Sequence, residues 1–187
     1  MLINNTKKQI ENRLSVLMGK RILQLRRAAL MLGVDFGYDL KQENGHDFSI
    51  ITVNENHFHG KEGVTEKRVI QTMPIYSLHI HSAWRLLKNG AVYLGHSDFF
   101  ARGVGSFKKY PDDETADDVE FTRLSEDLNK VFKVDTMRVI MVEASETGDL
   151  KVHMENDYCL ELFIDSSGDN ESWRFFKTDD DFPHFVV

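Results

Sequence analysis

The sequence contains a single cysteine in 187 residues, which limits the sites that the chain can build. No second cysteine exists to form an internal disulfide with Cys159, and one thiolate cannot complete a cysteine-based zinc site. We therefore expect the chain to fold in a reducing compartment without disulfide bonds. Strand-like neighbours with no adjacent base favour an inert, buried Cys159 thiol over a nucleophile.

Long apolar runs are also missing. No uninterrupted apolar stretch approaches the roughly 20 residues that cross a bilayer, and residues 1–8 lack the basic-then-apolar order of a secretory signal. The sequence thus predicts a cytoplasmic protein without a membrane partner.

Basic side chains are scarce relative to acidic ones. Lys and Arg number 23 against 30 Asp and Glu, which gives a formal net charge of -7. Binding to nucleic acid or to an anionic membrane depends on a basic surface. This charge balance argues against both partners and favours a cationic one.

Recognised catalytic and cofactor motifs are absent too. The sequence has no Gly-x-Ser-x-Gly elbow, no Walker A sequence and no Gly-x-Gly-x-x-Gly fingerprint. We predict no catalytic residue and no cofactor, so a binding protein is favoured over an enzyme.

The composition that remains is that of a globular domain, with 41% apolar residues and thirteen Phe. The length fits a single domain over residues 1–187. The Thr6-Lys-Lys-Gln9 capping box starts a helix that ends near Gly19, and a second helix is expected near 122–133. Its apolar face is formed by four residues: Leu124, Leu128, Val131 and Phe132.

The strands are predicted from alternation and turn signals. Residues 20–36 are interpreted as two strands or as a strand and a bend. Residues 75–85 alternate as one strand that leads through Asn89-Gly90 into a hairpin. A second turn at Asn44-Gly45 precedes a strand over 48–53. The C-terminal segments form a meander over 138–144, 150–154, 158–164, 172–176 and 184–187. We predict an α+β fold with one or two antiparallel sheets packed against the two helices.

Two stretches of the chain read alike. Tyr76-Ser-Leu78-His-Ile80 leads to Trp84-Arg-Leu-Leu-Lys88, and Tyr158-Cys-Leu160-Glu-Leu162 leads to Trp173-Arg-Phe-Phe-Lys177. This indicates one β unit used twice, or two strands in equivalent packing environments. Neighbouring strand residues face opposite sides, so each Trp is expected in the core with its Arg outside. The alternative is that the Trp-Arg units form a sugar or nucleotide site.

The histidines offer an alternative function, which is a site that binds a metal ion. His79 and His81 are two apart on a predicted strand, and His57 and His59 repeat that spacing. Four imidazoles could hold a metal ion if the two segments were adjacent. No third ligand stands at a recognised spacing, so partly exposed sheet residues are the favoured interpretation and no metal site is predicted.

Acidic residues form two dense runs. Six carboxylates occupy nine positions within a predicted acidic loop over about 101–120, with no Lys or Arg among them: Asp112, Asp113, Glu114, Asp117, Asp118 and Glu120. The second run is Asp179, Asp180 and Asp181. Such runs often only solvate a loop. The alternative is a docking surface for a basic partner, and these nine residues are the predicted partner-binding residues.

Several motifs together resemble a group of short, uncharacterised bacterial proteins. They are Asp35-Phe-Gly37, residues 76–85, Leu160-Glu-Leu-Phe163, Glu171-Ser-Trp-Arg-Phe-Phe176 and Pro183-His-Phe-Val-Val187. The resemblance implies kinship but carries over no activity and no catalytic residue.

In size and charge the chain is similar to immunity proteins of bacterial competition, including contact-dependent growth inhibition. We therefore predict a non-enzymatic immunity protein that docks by charge on a basic toxin domain, for which a nuclease is one candidate. The alternative is a metal-dependent enzyme that uses the His-x-His pairs. The oligomeric state is left open.

Overall fold

A computed structural model describes residues 7–37, 74–101, 119–134, 137–167, 170–178 and 183–187. The first half of the chain contributes α1 (Lys7–Leu14), β1 (Arg21–Ala28), β2 (Met31–Gly37), β3 (Tyr76–Ile80), β4 (Ala83–Lys88) and β5 (Ala91–Gly95). The second half contributes α2 (Glu120–Val134), β6 (Val139–Ala144), β7 (Leu150–Met154), β8 (Tyr158–Phe163), β9 (Trp173–Lys177) and β10 (Phe185–Val186). Short 3-10 helices, Ser15–Leu17 and His96–Phe99, follow α1 and β5.

The strands form two antiparallel sheets of five strands. The first sheet has the order β1-β2-β3-β9-β10, and the second has the order β6-β7-β8-β4-β5. Together with the two helices they make an α+β fold, which confirms the predicted class. Neither helix in the described part of the chain is long and apolar enough to cross a bilayer.

Both helices follow the periodicity of their sequences. In α1, Ile10 and Leu14 are buried one turn apart. The chain continues through the first 3-10 helix to Gly19, which has a φ of 74°, a left-handed conformation that glycine adopts without steric cost. In α2, Leu128 and Phe132 are buried. Thr6, the predicted cap of α1, lies outside the described residues, as do the turn at 44–45 and the strand at 48–53.

The alternation over residues 75–85 was expected to form one strand, and this prediction is wrong. The segment forms β3 and β4, which belong to different sheets. The chain breaks at His81 and Ser82, whose N–H groups both donate to the carbonyl of Ser172, at 2.8 and 3.0 Å. The alternation continues across the break because β3 and β4 both turn alternate side chains toward the same core.

The predicted C-terminal meander holds for β6, β7 and β8 and for the pair β9 and β10, but it is interrupted between β8 and β9. The next strand, β9, pairs with β3 in the first sheet rather than with its sequence neighbour β8. The connection between β8 and β9 is longer than the connections between β6, β7 and β8. No tight turn therefore forces β9 to pair with β8.

The two similar stretches occupy equivalent positions. β3 pairs with β9, and β8 pairs with β4, so each stretch gives one strand to each sheet. Five pairs in the first sheet match five in the second: Tyr76–Lys177 with Tyr158–Lys88, Ser77–Phe176 with Cys159–Leu87, Leu78–Phe175 with Leu160–Leu86, His79–Arg174 with Glu161–Arg85, and Ile80–Trp173 with Leu162–Trp84. The likeness in sequence therefore corresponds to one pairing scheme used twice.

The equivalence extends to the rest of both halves. β1 has an irregular register between Ile22 and Gln24, and β6 has one between Val139 and Met141, at the matching positions. The helices are exchanged, since α2 lies against β1 and α1 lies against β6. Each sheet thus combines three strands of one half with two strands of the other.

One hydrophobic core joins these elements. Its largest fully buried side chains include Trp173, Phe36 and Phe175 from the first sheet, Phe99 from the second 3-10 helix and Phe132 from α2. Because the halves exchange strands and helices, each half contributes side chains to the interior that the other half covers.

Candidate functional site

Only one of the nine predicted partner-binding acids lies in the described part of the chain. Glu120 begins α2, and its carboxylate forms an ion pair with Arg123. A carboxylate in the first turn also interacts favourably with the helix dipole. The other eight residues lie outside the described ranges: Asp112, Asp113, Glu114, Asp117, Asp118, Asp179, Asp180 and Asp181.

The residues that flank the two acidic runs lie at opposite ends of the first sheet. On the N-terminal side of the first run, the ring of Phe99 lies under the guanidinium of Arg27. Arg27 lies in the same cross-strand row as Ile80, at one end of β3. Before the second run, the N–H of Thr178 donates to Ile75 at 2.9 Å, next to Tyr76. Four residues of strand separate the two ends, a distance of about 13 Å.

The outer face of the first sheet carries the largest polar network in the described residues. Two neighbouring cross-strand rows build it. The first row is Arg26, Gly33, His79 and Arg174, and the second is Gln24, Asp35, Ser77 and Phe176. The ring of His184 stacks on Phe176 at 4.5 Å between centroids and extends the second row.

Asp35 anchors this network although it is only 1% exposed. Its carboxylate accepts hydrogen bonds from the Nε2 of Gln24 at 2.7 Å and from the Nε of Arg26 at 3.1 Å. The hydroxyl of Ser77 donates to the other carboxylate oxygen. A buried charge is tolerated when it is paired and hydrogen-bonded in this way.

Gly33 makes room for the Arg26 side chain. A Cβ atom at Gly33 would lie 2.9 Å from the Cγ of Arg26, too close for a van der Waals contact. Arg26 therefore crosses above a glycine and reaches His79, where its Nη2 lies 2.9 Å from Nε2.

His79 is held as a neutral imidazole. Guanidinium groups only donate hydrogen bonds, so its Nε2 accepts from Arg26 and the ring hydrogen is on Nδ1. Burial and the charge of Arg26 lower the pKa of His79 to about 4. The ring also meets the edge of Phe176 at 4.7 Å between centroids.

The two His-x-His pairs of the alternative metal site are not assembled in the described residues. His57 and His59 lie outside them, and β3 ends before His81. The Nε2 of His81 lies 3.3 Å from the carboxylate of Glu171, while His79 bonds Arg26. Within the described ranges, no three His, Cys, Asp or Glu side chains are grouped to hold a metal ion.

Both tryptophans are buried, at 3% exposure for Trp84 and 0% for Trp173. The arginine that follows each of them points outward and pairs with an acid: Arg85 with Glu161, and Arg174 with Glu171. The expectation of a core Trp and an outer Arg is confirmed, so the Trp rings are not a platform for a sugar or nucleotide.

The second sheet has a charge ladder where the first sheet has its first row. The equivalent row is Glu143, Lys151, Glu161 and Arg85, in which acids and bases alternate. The carboxylate of Glu161 lies 2.6 Å from Arg85 and 3.0 Å from Lys151. Burial opposes its charge, but the hydrogen bonds from Lys151 and Arg85 outweigh burial and lower the pKa of Glu161.

Cys159 lies beside this ladder and is half-buried. Burial, followed by the charge of Glu161, raises the pKa of the thiol to about 11. The thiol is therefore protonated at neutral pH, as expected for an inert cysteine.

Sequence reasoning missed Arg26, Asp35 and Ser77 as a connected group. One signal was present, because Asp35 is the only charged residue in an otherwise apolar and glycine-containing strand, Met31–Gly37. A lone acid in a buried strand indicates a partner on the neighbouring strands. Which residues supply that partner depends on the register.

Comparison with known proteins identifies no relative. No protein-family model matches the chain, no curated protein matches it, and no solved structure matches it. The resemblance to short bacterial proteins stays a prediction, and function has to be argued from the chain's own residues.

Proposed function

We propose that this chain is a non-enzymatic binding protein that neutralises a basic bacterial toxin domain, in the manner of an immunity protein. The observation that carries the proposal is the first acidic run, with six carboxylates in nine positions and no Lys or Arg among them. Complementary charge accelerates encounter with a basic partner and rejects partners of the same sign. If the toxin is a nuclease, carboxylates would occupy its phosphate-binding cleft.

The attachment of this run to the core supports the proposal. The run leads directly into α2, where Phe121 is buried one residue after Glu120. The N–H of Glu120 also donates to the carbonyl of Ala101 at 2.9 Å. A docking surface that begins on a packed helix loses less conformational entropy on binding than one on a free tail.

A metal-dependent enzyme gains no support from the described residues. The imidazole of His79 is committed to Arg26 through its Nε2, and His81 lies beside Glu171. Stoichiometric metal in the purified protein, with a melting temperature that falls on chelation, would contradict the binding-protein proposal.

The test is co-expression of the chain with the product of the adjacent gene, followed by measurement of the association rate. Replacing two acids of the run, Asp117→Lys with Asp118→Lys, is expected to slow association at least about tenfold at low salt. The effect should shrink as salt screens the charges.

A charge-matched control is Glu126→Lys with Glu146→Lys, two exposed acids outside the runs. Each pair of changes takes the formal net charge from -7 to -3, since each substitution adds two charges. Equal slowing by both pairs would mean that only net charge matters. The second acidic run is tested separately, by Asp179→Lys with Asp180→Lys, because its flanking residues lie at the other end of the first sheet.

A further inference from the structure

The central row on the outer face of the first sheet contains no acid. Across four strands it runs Arg26, Gly33, His79 and Arg174, whereas the equivalent row of the second sheet alternates acid and base. Where Glu161 neutralises Arg85 and Lys151, the first sheet has His79 as a neutral ring. The two arginines of this row therefore face one another across a group without charge.

Both guanidinium groups are held in place by hydrogen bonds to neighbouring side chains. Arg26 bonds Asp35 through Nε and His79 through Nη2. Arg174 bonds both carboxylate oxygens of Glu171, through Nε and Nη2, and its Nη1 lies 3.5 Å from the Nδ1 of His184. A guanidinium has five N–H donors, so these bonds leave donors on each group. Their side chains are 40% and 35% exposed, which keeps those donors accessible.

His79 adds a donor between the two arginines. Its Nε2 accepts from Arg26, so Nδ1 carries the hydrogen, and Nδ1 has no hydrogen-bond partner within the described parts of the chain. The phenyl ring of Phe176 borders the same spot, with His184 stacked on its far side. The surface thus combines several donors, no acceptor in its central row, and an aromatic border.

We propose that Arg26, His79 and Arg174 form a binding site for a phosphoryl group, as free phosphate or as a phosphate ester, on the outer face of the first sheet. Arg26 and Arg174 lie three strands apart, about 14 Å between backbones. Arg26 reaches across Gly33 to His79, which is the cross-strand partner of Arg174. A phosphoryl group offers several acceptor oxygens to the donors of this row, whereas a carboxylate offers two. Pre-positioned side chains lower the entropic cost of binding.

The test follows the arginine Nε–Hε and histidine NMR signals of the full chain during titration at constant ionic strength. The probes are inorganic phosphate, phenyl phosphate and acetate. Saturable shifts are expected at Arg26, His79 and Arg174 with both phosphates, and acetate should bind at least about tenfold more weakly. Tighter binding of phenyl phosphate would identify an ester as the ligand, and equal binding would identify free phosphate.

Arg174→Gln should weaken phosphate binding about tenfold or more, the loss expected for one charged hydrogen-bonding partner. The matched control is Arg85→Gln, at the equivalent position of the second sheet, which should leave binding unchanged. His79→Leu removes the central donor without changing net charge and tests the site if Arg174→Gln does not fold. The proposal is overturned by equal binding in the native chain, the folded site variant and the control, by acetate binding as tightly as phosphate, or by shifts that do not saturate.

Discussion

The charge state of His79 is set by its burial and by its charged neighbours. Burial is the largest cause that opposes a positive imidazole, and Arg26, Arg174 and His81 act in the same direction. Arg26 donates to its Nε2, and Arg174 is its cross-strand partner on β9. Asp35 favours the positive ring. The neutral ring is therefore a property of the assembled face, since an isolated histidine has a pKa near 6.5.

This environment predicts a pH dependence of stability. The pKa of His79 is about 4 in the folded chain and 6.5 in the unfolded chain, so the unfolded chain binds more protons between these values. The stabilising contribution is complete above pH 6.5 and is lost as pH falls toward 4. The loss is at most about 1.4 kcal/mol per pH unit for one proton, and less here because the ring is only half-buried.

The measurement is urea unfolding between those pH values for the native chain and for His79→Gln, which keeps an acceptor for Arg26. The difference between the two curves is expected to shrink on acidification, because only the native chain has this imidazole. Carboxylates that titrate in the same range cancel in the difference. Parallel curves would mean that His79 has the same pKa in the folded and unfolded chains, which would contradict a ring held neutral by folding.

At the scale of elements, a helix covers one edge of each sheet. In α2, the side-chain amide of Asn129 accepts from the N–H of Leu25 at 2.8 Å and donates to its carbonyl at 3.0 Å. In α1, the carboxylate of Glu11 accepts from the N–H of Ala144 at 3.1 Å. Unpaired edge strands are sites of aggregation, so these contacts protect β1 and β6.

Asn129→Ala should destabilise the chain by about 1–2 kcal/mol, because it leaves two backbone groups of Leu25 without their partner. Hydrogen exchange at the Leu25 amide should accelerate more than exchange in β3. Lys130→Ala is the control on the same helix: Lys130 is 71% exposed and pairs with an exposed Asp127, so its removal should have little effect on stability. Equal effects of the two changes would contradict a role of Asn129 in holding the edge.

At the scale of the whole molecule, the two halves share one pairing scheme but differ at equivalent positions. The Nε1 of Trp173 donates to the carbonyl of Gly148 at 3.2 Å. The Nε1 of Trp84 is buried without a hydrogen-bond partner in the described residues. Equivalent backbone positions therefore do not guarantee equivalent satisfaction of polar groups.

This difference predicts unequal costs for the same substitution. Trp173→Phe removes a hydrogen bond and leaves a carbonyl unpaired, whereas Trp84→Phe removes an unpaired N–H group. Both changes shrink a core side chain, so both destabilise, but Trp173→Phe should cost about 1 kcal/mol more. Chemical denaturation of the two variants measures the difference, and a larger cost for Trp84→Phe would contradict the equivalence of their packing.

Much of the local structure could be predicted from the sequence. The turn at Asn89 and Gly90, with φ of 51° and 76°, follows from residues that tolerate positive φ, and the turn at Asn156 and Asp157 does likewise. The apolar face of α2 follows from its period. These features depend on residues a few positions apart, so the local sequence is enough to predict them.

Sheet membership and the polar face were decided only by tertiary structure. β3 and β4 are separated by two residues yet join different sheets, because their partners β9 and β8 come from the far end of the chain. The same long-range pairing brings His79 beside Arg174 and places both arginines of the row on one face. Composition and periodicity determined which residues are apolar and which elements form; the register between distant strands determined which side chains meet, since that choice depends on the free energy of the whole packed core.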